Sequence, residues 1–143
     1  MTAHDDTAAR VIEQYTAAVW AQDIEAVLAL YAEDARIFDL FDHWTYEGRD
    51  TWRNAIGAWF GSIADGRRVR VSFDDARTVG SKDVLAVSAL ISYAELDDAG
   101  VVGNTMPNRL SWTLQRTGNT WLIVHEHTSV PIDGGTFEGV FEP

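Results

Sequence analysis

RLSWTLQRTGNTWLIVHEHTSVP, residues 109 to 131, is the stretch that decides the fold. Two runs rich in Trp, Leu, Ile, Val and Thr flank Thr117-Gly118-Asn119. That is the composition of two long strands joined by a tight turn. Working back along the chain, Asp97, Asp98 and Gly100 mark a second hairpin turn. The region past Gly66 therefore reads as four strands, about 67–78, 84–96, 101–116 and 119–130. Ahead of Gly66 the period changes. From about Asp6 to Ala21, Val11, Ile12, Tyr15, Ala18 and Val19 recur at three- and four-residue spacing, which puts them on one helix face. Asp23 is placed to cap a short second helix that turns Val27, Leu28, Leu30 and Tyr31 inward. Arg36 to Phe41 reads as a short strand. Asp50 then serves as the cap of a third helix striped by Trp52, Ile56, Trp59, Phe60 and Ile63.

Helices followed by strands predict an α+β fold, with helices packed on one face of an antiparallel sheet. Long strands joined by short turns curl strongly. A curled sheet closed by N-terminal helices is a cone-shaped pocket. The chain is read as one domain over residues 1–143, and the Gly- and Pro-rich segment 131–143 as an extended C-terminal tail.

Composition narrows the function classes. Eleven basic against 22 acidic residues give a net charge of −11, which repels nucleic acid and anionic membranes. The absence of cysteine excludes disulfide and thiolate chemistry. No apolar run approaches the ~20 residues that cross a bilayer. The acidic start lacks the pattern of a secretion signal, and a cytoplasmic location is expected.

Two segments carry a family resemblance. VIEQYTAAVWAQDIEAVLALYAEDARIFD looks like the first two helices and the base-bearing strand of the ketosteroid isomerases. RLSWTLQRTGNTWLIVHEHTSVP is similar to the last two strands of SnoaL-like proteins and of the calcium/calmodulin-dependent kinase association domain. Over residues 8 to 131 the chain thus resembles the NTF2-like superfamily, a cystatin-like roll, in its SnoaL-like and ketosteroid-isomerase-like branches. The resemblance implies that Tyr15 donates to a developing oxyanion and that Asp39 shuttles a proton. The isomerases' third group, a protonated aspartic acid, falls near Leu110, where no acid stands. That departure counts against steroid isomerisation.

Each candidate residue also has its own reading. Asp39 interrupts the apolar IFDLF, so desolvation should raise its pKa into the range of a working base. Tyr15 sits on an apolar helix face as core aromatic, oxyanion donor, or both. His125 and His127, two apart on one strand, point the same way. A His-x-His resembles the cupin pattern, but that needs further ligands, and no metal site is expected. The pair is read instead as lining the concave sheet face with Arg109 and Ser111, His127 being a second acid/base candidate because imidazole titrates near neutrality. Phe41, Trp52, Trp59 and Phe60 are candidate apolar pocket walls. Trp44, in the loop FDHWTYEG, is a candidate lid. Trp112, opposite Arg109 in face, would need cover from a second copy, so a homodimer is expected.

The resulting expectation is a protein that binds a small apolar or acidic organic ligand. It would carry out cofactor-free isomerisation, cyclisation, dehydration or hydration beside a carbonyl, with Tyr15, Asp39 and His127 as the chemical groups. The rival expectation is a non-catalytic ligand-binding or assembly domain.

Overall fold

Thr2 starts the first helix. Its hydroxyl accepts from the Asp5 backbone N–H, and the Asp5 carboxylate accepts from the Thr2 N–H in return. This reciprocal cap satisfies two of the donors that a helix start leaves free. In this computed structural model, which describes residues 2–143, α1 then runs Ala3–Trp20. It buries Ala8, Val11, Tyr15, Ala18 and Val19, the face that its periodicity predicts. At its far end the Arg68 guanidinium donates to the Trp20 carbonyl at 2.7 Å, closing one of the unpaired acceptors of the last turn. Asp23 caps α2 (Ile24–Leu28) through the Ala26 N–H.

The third helix, α3 (Arg49–Ser62), differs in its start. Gly48, not Asp50, occupies the N-cap, with φ of 88°, a conformation that suits glycine. Asp50 lies in the first turn, where a negative charge meets the positive end of the helix dipole. Trp52, Ile56 and Phe60 are the buried stripe.

Six strands form one curled, unclosed sheet in the order β2-β1-β6-β5-β4-β3. They are β1 (Tyr31–Phe38), β2 (Tyr46–Glu47), β3 (Arg68–Gly80), β4 (Val84–Leu96), β5 (Val102–Thr117) and β6 (Thr120–Ser129). All neighbours are antiparallel except β1 and β6, which run parallel. The first strand begins at Tyr31 rather than Arg36. Tyr31 pairs with Ile123 of β6 and the register resumes at Arg36 with His125, so Ala32, Glu33 and Asp34, weak strand formers, span an irregular stretch held at both ends. Asp39 lies just beyond the strand's end.

The hairpin β5–β6 contains the feature that sets the site. Thr113 pairs with His125, but the next residue, Leu114, pairs with Ile123, leaving Val124 as an extra residue. A one-residue bulge inverts which side chains face which way beyond it. Before the bulge Ile123 faces the core; after it Glu126 and Thr128 do. On β5 the inward set is Asn108, Leu110, Trp112 and Leu114, all buried. Trp112, placed on the uncovered face by the sequence reading, is in fact among the most deeply buried side chains.

After Ser129 the chain folds back on itself. Ile132 bridges Gly139, the Asp133 carboxylate accepts from the Gly135 and Thr136 N–H groups, and Phe141 stacks on Phe41 at 6.4 Å.

Candidate functional site

Between the sheet's concave face and the helices lies a cavity of about 840 Å³. Its walls come from Tyr15 of α1, Asp39 to His43 after β1, Trp52, Ile56 and Trp59 of α3, Tyr93 of β4, Asn108 of β5, and Glu126 and Thr128 of β6. The volume falls within the range of small-molecule sites.

Glu126 is the most deeply buried carboxyl group among the described residues, with 2% of its surface exposed. One oxygen, Oε1, accepts from the Tyr31 hydroxyl at 2.5 Å and from Trp112 Nε1 at 2.8 Å. No described residue donates to Oε2. Burial penalises the carboxylate more than these two donors help it, and nearby Asp39 adds to the rise, so the pKa is pushed up to about 7. At neutral pH the group thus exists in both forms, as an acid/base catalyst requires.

Asp39 shares that wall. Thr128 Oγ1 donates to Asp39 Oδ1 at 3.1 Å and itself accepts from the Leu40 N–H at 3.0 Å. The Phe41 N–H donates to Oδ2 at 3.2 Å. Burial raises the Asp39 pKa, and these donors offset part of the rise.

Across the cavity the Tyr15 and Tyr93 hydroxyls lie 2.9 Å apart. Burial holds both well above the usual phenol range, so both keep their protons. Two hydroxyls that share one hydrogen bond have one proton left over. That proton is available to an oxygen of a bound molecule. Aromatic edges fix the pair: Tyr15 against Trp112 at 5.6 Å and Tyr93 against Trp59 at 5.5 Å.

Asn108 completes the polar set. It is 6% exposed, and neither amide atom has a hydrogen-bond partner among the described residues.

Measured against the sequence reading, Tyr15, Asp39, Phe41, Trp52 and Trp59 line one cavity. Phe60 is buried in the core but is not in the wall. Trp44 stands 97% exposed and away from the lining. The larger correction concerns His125, His127, Arg109 and Ser111, which lie on the opposite face of the sheet. The Val124 bulge breaks the alternation that would have carried Trp121 and Ile123 inward together with both histidines. There, His125 Nδ1 bonds the Arg36 carbonyl oxygen at 2.7 Å, and Phe38 packs edge-on against His125 and His127. Arg109 donates to Ser129 Oγ at 3.1 Å, and Ser111 sits in register with His127. Arg109 is thus exposed and outside the cavity. Glu95 meets Arg67 at 3.6 Å.

Sequence reasoning missed Glu126, Tyr93 and Asn108. One signal was present: the alternation RLSWTL places Leu110, Trp112 and Leu114 on the apolar face, and Asn108 shares it. Among the described residues, no three His, Asp or Glu side chains converge on a point, and no helix is long and apolar enough to cross a membrane.

A curled sheet wrapped on helices around a polar-ended cavity defines the NTF2-like fold. Solved structures agree. An NTF2-like protein of unknown function from Pseudomonas putida superposes with a TM-score of 0.83 at 20% identity, covering 99% of this chain and 95% of that one. ActVI-ORFA from Streptomyces coelicolor gives 0.79 at 11% identity over 90% and 97% of the two chains. Aln2 from a Streptomyces species gives 0.76 at 14% identity over 87% and 88%. The chain belongs to the SnoaL-like domain family, which matches residues 9–133. No curated protein matches it.

Proposed function

We propose that the cavity is the active site of a cofactor-independent acid–base enzyme that isomerises, cyclises or dehydrates a small carbonyl compound. The observation that carries this reading is the pairing of two carboxyl groups with different affinities for protons in one largely apolar cavity. Such a pair divides the work. Asp39 in its carboxylate form takes the proton from the carbon beside the carbonyl, and the C–H electron pair moves into an enolate. The free proton of the Tyr15–Tyr93 pair meets the enolate oxygen, which lowers the cost of its charge. Protonated Glu126 then gives its proton to the carbon or leaving oxygen at the far end, and solvent restores both carboxyl groups.

Carbon-bound hydrogen exchange tests this without knowledge of the natural substrate. In D₂O at pH 6.5 the protein is expected to speed deuterium entry beside the carbonyl of 1-tetralone, followed by proton NMR. Asp39→Asn should lower that rate by roughly a hundredfold or more, the usual scale of a positioned acid or base. Exchange that is no faster with the parent than with the variant would reject catalysis and support a binding domain without turnover.

A further inference from the structure

The cavity wall has an unusual balance of charge. Asp39, Asp42, Glu95 and Glu126 line it together with His43, and among the described residues no lysine or arginine does. A carboxylate ligand would enter with no lysine or arginine to meet it and beside acids whose own ionisation burial already opposes. Arg109, which the sequence reading placed on the concave face, lies on the other face of the sheet.

Asn108 adds the second constraint. A buried amide is normally hydrogen-bonded on both its oxygen and its nitrogen, because leaving either unpaired carries a desolvation cost. Here both atoms are unpartnered. Local geometry explains why the protein does not satisfy them. The in-register neighbour on β4 is Ile91, and the residues on the same face of β5 are Met106 and Leu110. On β6, Thr128 stands in register with Leu110, and its hydroxyl is engaged by Asp39 and the Leu40 N–H. The other buried unpartnered atom is Trp52 Nε1, a donor only.

We infer that Asn108 is a specificity-determining residue, and that the cavity takes an uncharged, ring-sized molecule presenting a hydrogen-bond donor and an acceptor side by side. The class covers carboxamides, lactams and adjacent hydroxyl and carbonyl oxygens. The inference deepens the acid–base reading and shares its assumption that the cavity is the ligand site. Asn108 would accept from the donor through its oxygen and donate to the acceptor through its nitrogen. The Tyr15–Tyr93 pair and the carboxyl groups would remain for the reacting atoms.

Three probes of nearly equal shape separate these terms: 2-naphthamide, 2-acetylnaphthalene and 2-naphthoate. The first is neutral with donor and acceptor, the second neutral with an acceptor only, the third an anion. Titrations at pH 8 followed by tryptophan fluorescence and calorimetry should rank the amide roughly tenfold tighter than the ketone, the scale of one unpaired buried polar group. The carboxylate should be weaker still. In Asn108→Leu the amide's advantage over the ketone should vanish. Should that variant not fold, the ranking on the parent protein decides alone. Equal binding of amide and ketone, tightest binding of the carboxylate, binding of none of the three, or an advantage that survives Asn108→Leu would each overturn the inference. These readouts are independent of turnover. A ligand ranking as expected with no deuterium exchange would sink the acid–base reading alone, and exchange with the wrong ranking would sink only the role of Asn108.

Discussion

The two faces of β6 carry the same kinds of side chain to opposite ends. On the concave side Glu126 and Thr128 are enclosed; on the other side His125 and His127 meet solvent, with Phe38 between them. Enclosure changes chemistry. Glu126 is pushed up from 4.5 to about 7, because burial removes the water that would stabilise its charge. A polar residue's promise as a catalytic group therefore depends less on its type than on which side of the sheet the register assigns it.

The sharpest way to break this contrast is to delete Val124. Removal of the extra residue would either turn Glu126 outward and both histidines inward or force the ladder apart. Either result costs more than about 4 kcal/mol, the scale of mutations that bury unpaired charges or break buried networks. Thermal and urea unfolding should show a chain that is largely unfolded at 25 °C. A deletion variant with the parent's stability would show that the bulge does not set the faces.

A smaller effect separates the enclosed carboxyl by pH. Its affinity for protons is higher folded than unfolded, so the native state gains from binding a proton. That gain is complete below about pH 4.5 and is lost as pH rises through about 7. Over that window the parent should lose roughly 3 kcal/mol from this group alone. Glu126→Gln cannot ionise, and its urea-unfolding stability should vary less between pH 5 and 8 by about that amount. Parallel curves for the two proteins would mean that Glu126 titrates normally.

The smallest effect belongs to the outer face. His127→Ala is expected to change stability by no more than about 0.5 kcal/mol, as for most exposed substitutions. It should leave deuterium exchange unaltered. A variant that lost exchange would return the histidine to the chemistry and erase the distinction between the faces.

How far the sequence speaks differs from element to element. The stripes of α1 and α3 are legible because the core rewards a 3.6-residue period over many turns. Strands 3 to 6 are legible from their composition and from the turns at Gly100 and Gly118. The phase of β6 is not. Trp121, Leu122, Ile123 and Val124 are four apolar residues in a row, so they show no alternation from which a bulge could be noticed. The phase of β5 was readable from RLSWTL, where only one face is apolar; the histidines drew it the wrong way. Asp39 and Tyr15 were reached through the family resemblance and their apolar surroundings. Glu126 sat between two more conspicuous residues. Asn108's missing partners are a three-dimensional fact that no spacing encodes.

The hydroxyl pair at Tyr15 and Tyr93 has a consequence for reversibility. At 2.9 Å either oxygen is able to be the donor, and a rotation of two protons exchanges the roles without moving a heavy atom. In one sense the outward oxygen offers a proton to a carbonyl. In the other it offers a lone pair to a hydroxyl. A substrate and a product that differ in which oxygen bears the hydrogen would each find a matching partner in the same place, and the backbone would remain still throughout the cycle.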